Sequence, residues 1–163
     1  QSIPLLDTSK SISFAAMFNN CYSLQSIPLL DTSKGTDFGS MFSYCYSLQT
    51  IPLLNTSKGT NFTTMFSNCI SIQVVPALDT SLVTSINSAF SGCPSISRVR
   101  ISFKISVSLT SMCLFRDAIL EIFNNLASGV SGKTLTLTGN PGLASLTADD
   151  KLIATNKGWT LVL

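Results

Sequence analysis

A 24-residue period governs this chain. Cys21, Cys45, Cys69 and Cys93 each follow the last by 24 residues. Ile27-Pro28-Leu29-Leu30-Asp31-Thr32-Ser33-Lys34 repeats Ile3-Pro4-Leu5-Leu6-Asp7-Thr8-Ser9-Lys10 and returns as Ile51-Pro52-Leu53-Leu54-Asn55-Thr56-Ser57-Lys58. A looser copy runs from Val75-Pro76-Ala77-Leu78-Asp79-Thr80-Ser81 to Ala89-Phe90-Ser91-Gly92-Cys93. A period within ~20–50 residues marks a stacked array, in which one unit buries its apolar face only against its neighbours.

Within a unit, Leu24, Ile27 and Leu29 recur as Leu48, Ile51 and Leu53, then as Ile72, Val75 and Ala77. This spacing predicts a short strand with alternate side chains pointing inward. Pro28, Pro52 and Pro76 cannot donate to a ladder, so the strand must be brief and turn outward. Asp31-Thr32-Ser33 then supplies a turn closed by side-chain oxygens. Phe38, Met41, Phe42 and Cys45 fall at i, i+3, i+4 and i+7, the stripe of a short amphipathic helix. Thr36 and Thr60 are placed to cap such helices. The columns Phe14/Phe38/Phe62, Met17/Met41/Met65 and Phe18/Phe42/Phe66/Phe90 are expected to stack as a hydrophobic spine.

The unit Cys-x-Ser-Leu-x-x-Ile-Pro-x-Leu-Asp-Thr-Ser, followed by x-x-Met-Phe-x-x-Cys, resembles the BspA-like leucine-rich repeats of bacterial surface proteins and bacteriophage structural proteins. The resemblance covers about residues 1–100. It implies an α/β fold, a right-handed leucine-rich-repeat solenoid of strand–helix units with a parallel sheet along one face, and it implies no enzyme activity. On this reading residues 1–108 form the solenoid and residues 109–163 a helix–strand–helix–strand cap.

The repeat decays after Cys93. Val99, Ile101, Phe103, Ile105 and Val107 alternate with polar residues and predict a longer strand. Met112, Phe115, Ile119, Ile122, Phe123 and Leu126 predict an amphipathic helix ending near Gly129. Thr134–Thr138 reads as a strand closed by Gly139-Asn140-Pro141-Gly142. Thr147-Ala148-Asp149-Asp150 resembles a capping box opening a helix to about Thr155, with a final strand from Trp159. A terminal unit of this kind hides the end of a stacked core. Gly139-Asn140-Pro141-Gly142 through Lys157-Gly158-Trp159 also resembles C-terminal ends of phage tail and fibre proteins.

Composition narrows the function. The chain has no His, removing the commonest general base and metal ligand, and only 8 acidic residues. No phosphate loop, nucleophile elbow or CxxC pair is present, and Asp149-Asp150 reads as a helix N-terminal charge pair. A non-enzymatic chain without cofactor or metal is therefore expected. The net charge of +2 is too small for a nucleic-acid footprint, and the local cluster Arg98, Arg100 and Lys104 reads as a solvated strand edge. Scattered apolar positions leave no run long enough to insert in a membrane. A surface rich in Ser and Thr, with 11% charged residues, suits an extracellular or virion-surface protein.

Two sets of columns carry the functional reading. Tyr22, Gln25, Ser26, Tyr46, Gln49, Thr50, Gln73 and Val74 recur on the outward side of the strand, an expected recognition face for a protein or glycan receptor. Cys21, Cys45, Cys69 and Cys93 form a structural ladder, expected as buried free thiols because ladder side chains point the same way rather than at each other. Asp7, Asp31, Asn55 and Asp79 read as Asx turns in preference to calcium ligands, and the sequons at Asn55 and Asn61 carry no further weight. Because Gln1 falls inside a repeat, the chain is expected to be a fragment, processed, or covered there by an upstream chain or another copy, which suggests homo-oligomeric assembly. The functions in view are a phage fibre, tail or decoration protein, a bacterial adhesin, or an extracellular filament subunit.

Overall fold

A computed structural model describes residues 3–163; the reading of the chain start at Gln1 lies outside the described residues. The 24-residue units stack in parallel register. Bridges link Ser13 to Asp37, Asp37 to Asn61 and Asn61 to Ser85. A second line of contact runs through β1 (Val74–Val75) and β2 (Arg98–Val99), which pair in parallel as Val74 with Arg98 and Val75 with Val99.

The segment expected as a helix is not one. Residues 15–20, 39–44 and their equivalents are consecutive turns. Met41 N–H donates to Phe38 O and Cys45 N–H to Phe42 O, each bond closing a four-residue turn. The third residues of those turns, Ser40 and Tyr44, have φ of 55° and 62°, the type II pattern. Ala16 and Asn20, Thr64 and Asn68, and Ser88 and Gly92 repeat this left-handed pair. A turn that recurs every fourth residue buries the i, i+3, i+4, i+7 set as a helix would, so periodicity alone does not separate the two.

Hydrogen bonding explains why the turns win. Phe38, Ser40, Phe42 and Tyr44 donate their N–H groups to Asn61, Thr63, Met65 and Ser67 carbonyls of the next unit at 2.8–2.9 Å. Met41, Ser43 and Cys45 donate within their own turns. Every donor from Phe38 to Cys45 except Gly39 is thus bonded to backbone, and Gly39 N–H reaches Asp37 Oδ1 at 2.9 Å. An isolated helix of about eight residues is marginal, and Gly39, Ser40 and Ser43 are poor helix formers. Thr36 accordingly caps no helix: its N–H and Oγ1 both donate to Ile12 O, and Thr60 does the same to Thr36 O.

The inward strand pattern also needs correcting. Leu24, Ile27 and Leu30 are buried, whereas Leu29 and Leu53 are 64% and 65% exposed. Proline after the buried Ile has no N–H for a ladder, the backbone bends, and the next inward position falls at i+3 rather than i+2. The aromatic columns stack as expected. Phe18, Phe42, Phe66 and Phe90 follow one another at centroid distances of 5.6, 5.6 and 5.9 Å with nearly parallel rings. Phe14 stacks on Phe38, which meets Phe62 edge-on. Met41 and Met65 are buried, but Met17 is partly exposed.

After β2 the alternating run is not one long strand. Val99, Ile101, Phe103 and Val107 are buried, yet pairing resumes only at β3 (Val107–Ser108). β3, β4 (Lys133–Thr136) and β5 (Trp159–Val162) form a parallel sheet in that order, with Leu135 opposite both Val107 and Leu161. α1 is Arg116–Asn125, shorter than its apolar stripe predicts, since Met112 and Leu114 are buried ahead of it and Phe115 is exposed. A 3-10 turn (Pro141–Ser145) and α2 (Ala148–Thr155) follow. The capping box at α2 forms as expected, Thr147 and Asp150 exchanging side chain and backbone bonds. Asp150 also takes Arg116 in a two-point ion pair at 2.7 and 3.0 Å, joining the starts of both helices. Lys157 Nζ donates to the Phe123, Asn124 and Leu126 carbonyls, satisfying the C-terminus of α1. One contiguous core runs from Phe14 to Trp159 and joins the repeats to this terminal unit.

Candidate recognition face

The outward columns are built by the stack. Tyr22 and Tyr46 are exposed, and their rings stack at 5.2 Å and 16°, one unit apart. Tyr44, which the sequence reading passed over, meets Tyr46 edge-on at 6.1 Å. Its left-handed backbone aims it outward beside Tyr46. Ile70 occupies the next position of the Tyr22/Tyr46 column and is exposed. Gln25, Gln49, Thr50, Gln73 and Val74 are exposed, while Ser26 is half-buried.

A shallow groove of about 550 Å³ crosses three successive units of this face. Gln49, Thr50, Ile70, Ser71, Gln73 and Ser95 line it. Three of the six are residues that the periodicity nominates. Ile70, Ser71 and Ser95 were missed, although Ile70 stands one period beyond Tyr46. Ser71 Oγ donates to Tyr46 O at 2.6 Å, tying the groove wall to the tyrosine column.

Other polar columns are engaged internally. Thr8, Thr32 and Thr56 are buried, and their hydroxyls donate to the Asp31, Asn55 and Asp79 carbonyls at 2.9–3.1 Å. Asp7, Asp31, Asn55 and Asp79 each accept the N–H two residues on through Oδ1, the Asx turn. The hydroxyl and N–H of Ser9, and likewise of Ser33 and Ser81, hold the aspartates below the usual carboxylate range. Asn55 builds the same turn without charge, so the geometry needs no cation. Among the described residues no cluster of potential metal ligands occurs. Arg98 and Arg100 are half-exposed but face Glu121 of α1, so they are an ion-paired edge rather than a merely solvated one.

The cysteines are free thiols. Cys45, Cys69 and Cys93 are buried, and each Sγ donates to a phenylalanine carbonyl 27 residues earlier, Phe18, Phe42 and Phe66, at 2.9–3.1 Å. Burial pushes the Cys45 thiol up to about 12 and Cys93 to about 11, and raises Cys69 as well. Cys21 departs from the expectation of burial; it is exposed.

Parallel 24-residue units, a shared core and a repeating outward face define a tandem-repeat protein. Residues 1–104 match the family described as "Mycoplasma protein of unknown function, DUF285", and the chain belongs to that family. No curated protein and no solved structure matches the chain.

Proposed function

We propose that the chain is a non-enzymatic, surface-displayed structural and binding module, its repeats forming a right-handed solenoid of the leucine-rich-repeat kind with turns in place of helices. The Tyr22/Tyr46 column beside the Gln49–Gln73 groove carries the reading: it is the one nominated face whose polar and aromatic groups point outward while the other polar columns bond within the stack. The absence of His from the sequence argues against acid–base chemistry. Membership of a Mycoplasma family fits a bacterial setting, with the chain displayed on the cell surface as an adhesin. A phage fibre, tail or decoration protein is a second setting, resting on the resemblance of residues 139–159. Assembly with neighbouring copies belongs to the same proposal.

Antibody labelling of intact cells and of released particles tests the display. Signal on unpermeabilised cells supports the adhesin, and signal confined to particles moves the module to the virion. Labelling only after permeabilisation defeats both.

A further inference from the structure

We infer that the groove between Gln49 and Ser95 binds a neutral glycan chain; this deepens the recognition-face reading and rests on it. The lining contains two carboxamides, three hydroxyls and one aliphatic wall, and no charged side chain. The side chains of Gln49, Thr50, Gln73 and Ser95 make no hydrogen bond to the described residues, whereas Thr32, Thr56, Asn61 and Asn140 are bonded internally. Ser71 donates to Tyr46 O and keeps its lone pairs free to accept. Carboxamides each offer a paired donor and acceptor, which matches the adjacent hydroxyls of a sugar. Tyr22 and Tyr46 stack on one another in the neighbouring column, so what they offer a sugar is exposed ring edge and hydroxyl.

Competing ligands fit less well. A nucleic acid or anionic polysaccharide needs Lys or Arg along its path, and the lining has none. A stable protein partner covers ~800 Å² around an apolar centre, but only Ile70 is apolar in this groove. The groove also spans three units at one period, so similar contacts recur along it, as a chain of like sugars requires.

Calorimetric titration of the whole chain with hexamers of N-acetylglucosamine, glucose and mannose, beside a sialic acid oligomer, tests the inference. Saturable binding of a neutral hexamer is expected, weakened about tenfold or more by the double variant Gln49→Ala/Gln73→Ala, the scale of one or two lost hydrogen bonds. Amide resonances of the Gln49 and Gln73 side chains should shift on titration while that of buried Asn140 stays put. Gln49→Glu, which preserves size, replaces the double variant if that one does not fold. Binding of the sialic acid oligomer alone overturns the neutral class. Neutral binding that survives the variants overturns the groove as the site. A protein ligand lost in the same variants overturns the glycan while leaving the recognition face standing. No binding of any neutral hexamer overturns the inference, and surface labelling then decides the broader reading separately.

Discussion

Cys69 Sγ lies 3.0 Å from Phe42 O, donating its thiol proton across the boundary between two stacked units. The acceptor already takes the Cys45 N–H. The same pairing holds for Cys45 with Phe18 and for Cys93 with Phe66. A cysteine suits this position because it fills a small apolar space and still donates weakly.

Thiol accessibility follows from that placement. Cys21 is exposed and Cys113 partly so, while the other three are buried. Limited iodoacetamide treatment of the native chain should modify Cys21 first and Cys113 more slowly. Cys45, Cys69 and Cys93 should react only in denaturant. Mass mapping that finds Cys69 modified in the native chain would contradict the stacking.

Alkaline pH should weaken the fold through the same thiols. An unfolded cysteine ionises near pH 8.5, but the folded Cys45 and Cys93 keep their protons to about 12 and 11. The unfolded state therefore loses protons first. Stability is full below about pH 8.5 and falls toward the folded values at ~1.4 kcal/mol per pH unit for each buried thiol. Urea unfolding under reductant should show this loss, and Cys69→Ala should have a shallower slope. Identical slopes in both proteins would rule the thiols out.

Ala16 separates the turn from the helix. Its φ of 56° is costly for a residue with a Cβ, so Ala16→Gly should stabilise by about 0.5–1 kcal/mol after the entropy of the unfolded glycine is counted. In a helix the same change would destabilise by ~1 kcal/mol. The sign of the shift in the urea midpoint decides between them.

Asn140 holds the terminal unit together. Its Nδ2 donates to Leu109 O and Leu137 O, and its Oδ1 accepts the Leu114 N–H, all in the interior. Asn140→Ala leaves a buried donor and an acceptor unmatched and should cost roughly 2–4 kcal/mol. A midpoint unchanged from the parent would refute this role.

The aspartate turns predict an acid limb. Ser9, Ser33 and Ser81 lower the carboxylates in the folded state, so their contribution is present above the unfolded value near 3.9 and is lost as pH falls below it. Asp31→Asn, copying the uncharged turn at Asn55, removes that contribution at neutral pH as well, so it should lower the neutral-pH midpoint slightly and flatten the acid loss. Added calcium should shift neither protein; a calcium-dependent rise in the midpoint would restore the cation reading.

Much of this was legible from the residue columns. The 24-residue offset placed Phe on Phe and Tyr on Tyr, and Thr147 with Asp150 announced the capping box. Leu29 was misplaced because strict alternation was carried past a proline. The helix reading failed at Ser40 and Tyr44 because i, i+3, i+4, i+7 burial is common to both geometries. Asn20, Asn68 and Gly92, residues tolerant of positive φ at one repeat position, were the available signal for turns. For the groove, Gln49 and Gln73 were readable from their period; Ser71 and Ser95 continue the equally regular column Ser23/Ser47, but spacing alone does not say that this column lines a groove.

By itself the sequence determined the period, and with it which side chains meet their equivalents in the next unit, because burial of an apolar column depends only on spacing. Only the tertiary structure decided the backbone between those columns. Whether an N–H turns inward to its own segment or sideways to a neighbour depends on a neighbour being there, and a local pattern of apolar residues carries no record of that partner.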